Sequence, residues 1–386
     1  MRTAPGPIWS IRRHTVGNTF FASLVVAALT GCATPTPTRT PTPDATAQPN
    51  ALTSTPPLRL HFETVRSILH DSKGNYWFGS WNEGVGRYDG TGLTYFTTKD
   101  GLSHNQIRSI YEHKNGLVWF EGAVGMTSFD GEKLVAAGQL DYSRKNKWSL
   151  GEGDLWFKDG AEMGATEQEG APGAYRYDGA TFSYHTYPLP ITPGLMTGNA
   201  AYATTGFARG KSGRVWFATY NAVFGYDGSA FTVFDDARLQ RNESTGRMHC
   251  RCVFEDSRGN VWIGNNGIGV WLFDGTNVTD FTQKHGLGKA GAHAGRTTRL
   301  PGDFVGAGPS LHRVFAIGED RDGNIWFGTI ASGAWRYDGK TVRHFGAADG
   351  LTSEDIVCIY TDRRGDLWLA GSGVFRWNGT SFDRMF

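Results

Sequence analysis

Cysteine is scarce in this 386-residue chain: of four in all, only Cys250, Cys252 and Cys358 lie beyond residue 32. Three cysteines cannot all pair, and no Cys-x-x-Cys zinc spacing occurs, so neither a disulfide framework nor a structural zinc is expected. Cys250 and Cys252, two apart in a predicted strand, are expected on one face as buried thiols. An excess of either charge is also missing, since 38 Lys and Arg against 37 Asp and Glu leave a formal net charge of +1. With no basic stripe, a nucleic-acid partner is excluded. Long apolar runs are lacking as well. Thr19–Leu29, "TFFASLVVAAL", falls short of the ~20 residues a spanning helix needs. After the basic start of Arg2, Arg12 and Arg13 it reads as the core of a secretory signal.

That run ends in "LTGC", Leu29–Cys32, which resembles the lipobox of bacterial lipoproteins. The resemblance implies cleavage before Cys32 and acylation of its sulfur, with residues 1–31 as signal peptide. "RRHTV" fits twin-arginine export poorly. Residues 32–57 then form a linker in which Ala33–Pro57 holds seven prolines and eight threonines among 25 residues. It cannot bury a core, and at ~3.1 Å per residue it reaches roughly 75 Å. The expected location is the cell envelope, lipid-anchored and facing the periplasm or the exterior. The residue after the cysteine is Ala33 and not the Asp linked with inner-membrane retention, so the outer membrane is expected where two membranes are present.

What the remaining chain has in abundance is glycine and aromatic residues, in a repeated order. Trp77, Trp119, Trp156, Trp216, Trp262, Trp326 and Trp368 each precede an Asp-Gly or Asn-Gly dipeptide, at Asp89, Asp130, Asp178, Asp227, Asp274, Asp338 and Asn378. Strict alternation of seven anchors and seven turns marks an internal repeat. Each unit parses into four short strands: in the first, "VRSILHD", "YWFGS", "GVGRY" and "GLTYFTT". Asp-Gly favours a two-residue type I′ hairpin, because both central residues need positive φ. Asp71, Asp256, Asp320 and Asp362 open the turn between the first two strands of their units and are expected to act as turn formers. Four antiparallel strands repeated seven times predict an all-β, seven-bladed β-propeller over residues 58–386. Its blades are placed at about 65–105, 106–143, 144–190, 201–240, 249–283, 311–348 and 355–386. The tryptophans and the aromatic residue before each dipeptide belong in the wedges between blades. "LRLHF", Leu58–Phe62, is a candidate extra outer strand at the closure. Unit 3 is irregular, with an insertion at Lys158–Gly173, and long connections lie at Pro188–Ala201 and Lys284–His312.

The motifs "ILHDSKGNYWFGS…RYDG…YFTTKDGLSHNQI" and "IGEDRDGNIWFGT…WRYDG…HFGAADGLTSEDI" resemble the two-component regulator propeller repeat, most specifically in units 1, 5, 6 and 7. The resemblance implies an extracytoplasmic sensor-type propeller, a class in which some members detect glycan fragments. No phosphoacceptor helix and no ATP-binding glycine box occur, so kinase activity is not expected, and the chain stops at the last blade.

Propellers gather variable loops around one end of the central channel. On that face the candidates are Trp81, Asn82, Glu83, His104, Asn105, Tyr142, Arg144, Arg247, Asn265, Asn266, His293, Arg296, His312 and Arg313. Aromatic platforms with amides, carboxylates and arginines suit a glycan, a peptide or an envelope protein. The expected function is therefore that of a monomeric, membrane-tethered, ligand- or protein-binding module, with no cofactor, no metal and no catalytic residues. The alternative is a propeller lyase or hydrolase. A glycosidase would need two facing carboxylates, for which Glu83 with Glu162, Glu167 or Glu169 has no supporting spacing. A lyase of the streptogramin-inactivating kind would draw on His249, His293 and His312.

Overall fold

The computed structural model describes residues 59–138, 140, 147–158, 172–188, 199–288 and 308–386, all within one compact unit, Thr55–Phe386. The predicted Cys32, Tyr142, Arg144, His293 and Arg296 lie outside the described residues. Short β-branched and aromatic runs broken by glycine turns build seven antiparallel sheets. Blade 1 comprises β1 (Val65–His70), β2 (Tyr76–Ser80), β3 (Val85–Tyr88) and β4 (Leu93–Phe96), and blade 2 comprises β5 (Ile107–Glu112), β6 (Val118–Gly122), β7 (Met126–Phe129) and β8 (Leu134–Ala136). Blade 3 holds β9 (Leu155–Lys158), β10 (Gly173–Tyr177) and β11 (Phe182–Thr186). Blade 4 comprises β12 (Thr204–Arg209), β13 (Val215–Thr219), β14 (Val223–Tyr226) and β15 (Phe231–Phe234). Blade 5 has β16 (Cys250–Glu255), β17 (Val261–Asn265), β18 (Val270–Phe273) and β19 (Val278–Asp280), followed by the short helix α1 (Phe281–Lys284). Blade 6 has β20 (Val314–Glu319), β21 (Ile325–Thr329), β22 (Ala334–Tyr337) and β23 (Val342–Phe345), and blade 7 has β24 (Ile356–Thr361), β25 (Leu367–Gly371), β26 (Gly373–Trp377) and β27 (Phe382–Arg384). No helix among the described residues is long and apolar enough to cross a membrane.

The seven-bladed propeller is as expected, but blade 3 has three described strands where four were predicted. Its innermost strand, β9, corresponds to the second strand of the other blades. The segment before it, residues 147–150, takes another course. Trp148 stacks on Trp156 with centroids 5.3 Å apart, and its indole donates to the Thr186 carbonyl at 2.7 Å.

Seven apolar clusters fill seven wedges, and each contains one repeat tryptophan. Trp77, Trp119, Trp156, Trp216, Trp262, Trp326 and Trp368 each pack against the following blade, and all are buried. The next residue in the strand faces the opposite wedge, as strand alternation requires, so Phe327 joins the cluster of Trp262. The seventh wedge closes the ring. There Trp368 meets Val65, Ile68 and Phe78, while the Tyr76 hydroxyl donates to Asp362 at 2.5 Å. Leu60 and Phe62 pack onto this cluster without forming a strand, so each described blade is built from one contiguous segment.

The turns explain the repeated aspartates, with two corrections. Asp71 does form its turn, accepting the amides of Lys73 and Asn75, but its other oxygen also accepts the Trp77 indole N–H at 2.7 Å. Asp256, Asp320 and Asp362 repeat this brace to Trp262, Trp326 and Trp368 at 2.9, 2.7 and 2.9 Å. In blade 4, where Gly210 stands in the aspartate's place, Glu255 of blade 5 accepts the Trp216 N–H at 2.7 Å. The Asp-Gly hairpins are not two-residue type I′ turns. Tyr88 pairs with Leu93, and of the four residues between them only Gly90 carries positive φ, at +95°. Asp89 sits at the first corner and its carboxylate accepts the amides of Thr91 and Gly92, each at 2.9 Å. The Thr91 hydroxyl, which also donates to Asp89, and these amide bonds favour the ionised form and hold the Asp89 carboxyl down at about 2, as the amides of Thr341 and Lys340 do for Asp338.

Each described inner strand carries a β-bulge at its second residue: Arg66, Arg108, Thr205, Arg251, Phe315 and Val357. A bulge inserts one residue and slips the alternation of faces by one. Cys250 and Cys252 therefore do not share a face. Cys250 packs with Val253 toward blade 4 and Cys252 with Phe254 toward blade 6, and Arg251 points into neither wedge. All three described cysteines are free, and burial raises their thiols, Cys250 and Cys358 to about 12.

Candidate functional site

The inner strands enclose a channel of about 1500 Å³. At the end where the second and third strands of each blade are joined, three sets of residues line it. One is the bulge set, including Arg66, Arg108, Arg251 and Phe315. Another is the residue immediately after the second strand: Trp81, Tyr220, Asn266, Ile330 and Ser372. The last is the residue before the inner strand: Thr64, His249, Arg313 and Asp355. Backbone bonds tie the last two sets together within a blade, from Trp81 N–H to Thr64, Asn266 to His249 and Ile330 to Arg313, at 3.0, 2.9 and 3.0 Å. In these three blades the frame is the same, so their chemistry at the mouth differs through side-chain identity.

Blades 1 and 5, with their neighbours, carry the polar groups. The Arg66 guanidinium lies 4.2 Å over the Trp81 ring. Arg251 lies 4.6 Å over Phe315 and 5.5 Å over Tyr220, whose hydroxyl it meets at 3.2 Å. Arg313 donates to Asn266 Oδ1 at 2.8 Å, and Asn266 Nδ2 meets His249 Nδ1 at 3.2 Å. Burial lowers the Arg313 guanidinium from its ordinary value, with nearby Asp355 acting the other way. Such cation–aromatic and amide contacts fix the arginines in position without enclosing them.

Of the predicted residues, the structure brings Trp81, Asn266 and Arg313 to the channel mouth. The others described serve their loops. Glu83 accepts the amides of Glu63 and Asn82, and Asn105 accepts that of Thr98. His104 accepts the Gln106 amide, Asn82 is exposed beside Glu83, and Asn265 is buried against Gly269 and His249. Arg247 pairs with Asp236 at 3.5 Å and Glu243 at 3.7 Å. His312 is buried and faces Gly288 and Asp280, whereas His249 lines the channel. Among the described residues no three His, Cys, Asp or Glu side chains gather as a metal site. Sequence reasoning missed Arg66, Arg108, Arg251, Tyr220, Phe315 and Asp355. A signal was present: "VRS", "IRS" and "CRC" place arginine at the same repeat position.

A model of the family described as two component regulator propeller matches residues 60–82, 244–267, 308–331 and 350–373. The chain thus carries that repeat in blades 1, 5, 6 and 7, the units whose motif is most regular. No curated protein matches it in sequence. Among solved structures, it is similar to the extracellular domains assigned to two hybrid two component systems of B. thetaiotaomicron. For BT4673 the TM-score is 0.56 at 18% identity, with 82% of this chain and 39% of that chain covered. For BT3049 it is 0.57 at 18%, with 83% and 39% covered. The chain thus spans about two fifths of either. Virginiamycin B lyase from Staphylococcus aureus is similar at TM-score 0.53 and 14% identity, over 82% of this chain and 94% of that one. These identities establish a shared fold.

Proposed function

We propose that the protein is an extracytoplasmic recognition module that binds a ligand in the mouth of its central channel and passes occupancy to a partner by contact. The observation that carries this reading is Trp81. The seven repeat tryptophans are all under 6% exposed, whereas Trp81 is 44% exposed at the mouth of a large channel. An exposed indole backed by a guanidinium is costly to leave in water and is a typical binding hot spot. The repeat and the similarity to extracellular sensor domains support a place in the cell envelope. The "LTGC" motif and the Pro/Thr segment support anchoring through an acylated Cys32. In an envelope with two membranes, that anchor is in the outer one.

The test is a glycan, peptide and metabolite binding panel on the purified protein. Saturable binding without turnover is expected. Trp81→Ala should weaken it by about 1–3 kcal/mol at unchanged melting temperature. Chemical turnover of a bound compound, or binding indifferent to Trp81, overturns the reading. Cys32→Ser should abolish palmitate labelling, and persistent labelling would exclude the anchor.

A further inference from the structure

We infer that the channel mouth selects ligands bearing two or more anionic oxyacid groups (carboxylate, sulfate or phosphate), read by arginines that the inner-strand bulges aim into the channel. This inference rests on the recognition reading above and adds its chemical class.

The bulge supplies the geometry. In a regular strand every side chain falls into one wedge or the other, so a charged residue there would be buried in an apolar cluster. The inserted residue of each bulge is exempt. Val65 and Ile68 serve one wedge and Leu69 the other, which leaves Arg66 to the channel. The same holds for Arg251 between the Cys250 and Cys252 faces. Six described blades offer this position, and three fill it with arginine: Arg66, Arg108 and Arg251.

Charge points the same way. The whole chain is nearly neutral at +1, so cations collected in one place are not a by-product of composition. The described channel lining holds Arg66, Arg108, Lys158, Arg209, Arg251 and Arg313 against the three carboxylates of Glu112, Glu319 and Asp355. Glu112, Glu319 and Arg209 end their strands at the far end of the channel, where the glutamates accept bonds from Ser72 and Ser257 and Arg209 donates to the Gly151 and Asp154 carbonyls, so none of the three acts at the mouth. Asp355 is therefore the carboxylate at the mouth among the described lining residues. A cleft of one sign with low-dielectric walls focuses its field on an incoming ion. The planar guanidinium carries an N–H edge that suits two-pronged contact with an oxyanion, and Arg251 is held 4.6 Å over the Phe315 ring beside the Tyr220 hydroxyl.

The experiment measures binding of trigalacturonate and its methyl ester, and of myo-inositol hexakisphosphate and myo-inositol, by calorimetry at low and high salt. The expected result is that at least one anion of the two binds, that its neutral counterpart does not, and that affinity falls as salt rises. Which anion binds separates a carboxylated sugar from a phosphate ester as the source. Arg66→Gln and Arg251→Gln should each weaken binding about tenfold without changing the melting temperature. Arg251→Lys, which keeps the charge but loses the planar edge, should fall between. Equal affinity for the acid and its ester overturns the anionic selectivity, and if Trp81→Ala weakens both, the recognition reading stands. Failure of both anions to bind at low salt also overturns the inference, whereas recognition itself is judged by the wider panel.

Discussion

Blades 3 and 6 carry the same tryptophan at the same place and surround it differently. In blade 6 the Trp326 indole N–H is braced by Asp320 at 2.7 Å, and Gly328 follows where a Cβ would come within 2.6 Å of the Ile356 carbonyl of blade 7. In blade 3 the Trp156 N–H finds no hydrogen-bond partner among the described residues, and the ring is covered by Trp148 instead. The difference extends to the neighbouring blade. At the position of Gly79, Gly264 and Gly328, each crowded by the next blade's inner strand or its own, blade 2 has Glu121 and blade 3 has Lys158. The Glu121 carboxylate accepts the Lys158 amide, a role open to it because no described inner strand of blade 3 stands there. Glycine thus holds this position in blades 1, 5 and 6, where an added Cβ would meet a neighbouring strand, while Ala218 and Ala370 hold it in blades 4 and 7.

Three substitutions would break or sharpen this comparison. The largest effect is expected from Trp326→Ala, which empties a fully buried site and removes the indole bond to Asp320. It should cost ~3–5 kcal/mol in urea unfolding, and more than Trp156→Ala, whose indole N–H has no partner to lose among the described residues. Equal losses would mean that the brace contributes nothing. Next, Gly328→Ala forces a methyl against backbone and should cost ~1–3 kcal/mol. Glu121→Ala at the equivalent position removes only an acceptor and should cost ~1 kcal/mol, so the reverse ranking would refute the crowding at Gly328. The smallest effect concerns the hairpins, where the two blades agree. Bonds from following residues' amides lower both the Asp178 and Asp338 carboxyls in the folded chain. Their stabilisation is full above the ordinary value of 3.8 and is lost as pH falls through the folded value, about 2 for Asp338. Asp338→Asn keeps the acceptor, as Asn378 does in blade 7. It should leave the melting temperature at pH 7 nearly unchanged while flattening its acid dependence between these values.

Much of the fold was legible because period and spacing are local. Alternating tryptophan and Asp-Gly fixed seven units, and wedge packing of Trp77 through Trp368 followed from aromatic bulk. The candidate site was less legible. Trp81, Asn266 and Arg313 were found as residues outside the repeat register, whereas Glu83, Asn105 and Asn265 proved to be loop acceptors. A polar side chain in a loop looks the same in sequence whether it bonds its own backbone or faces a channel. Arg66, Arg108 and Arg251 are not legible as channel residues, because strict alternation along a strand places every side chain in one wedge or the other.

The sequence by itself determined an all-β chain of seven units, the places of its hairpins, and which aromatic residues would be buried. These depend on short-range sterics, on glycine at positive φ and on the periodicity of apolar residues. Only the tertiary structure decided which way the second residue of each inner strand points, because a bulge forms between two strands and is invisible in either alone. It also decided that Trp148 would cover Trp156 in blade 3, and that Asp320 would hold Trp326 as well as shape its own turn. Each of these is set by what stands opposite a residue once the ring has closed, and the order of residues along one strand does not contain that information.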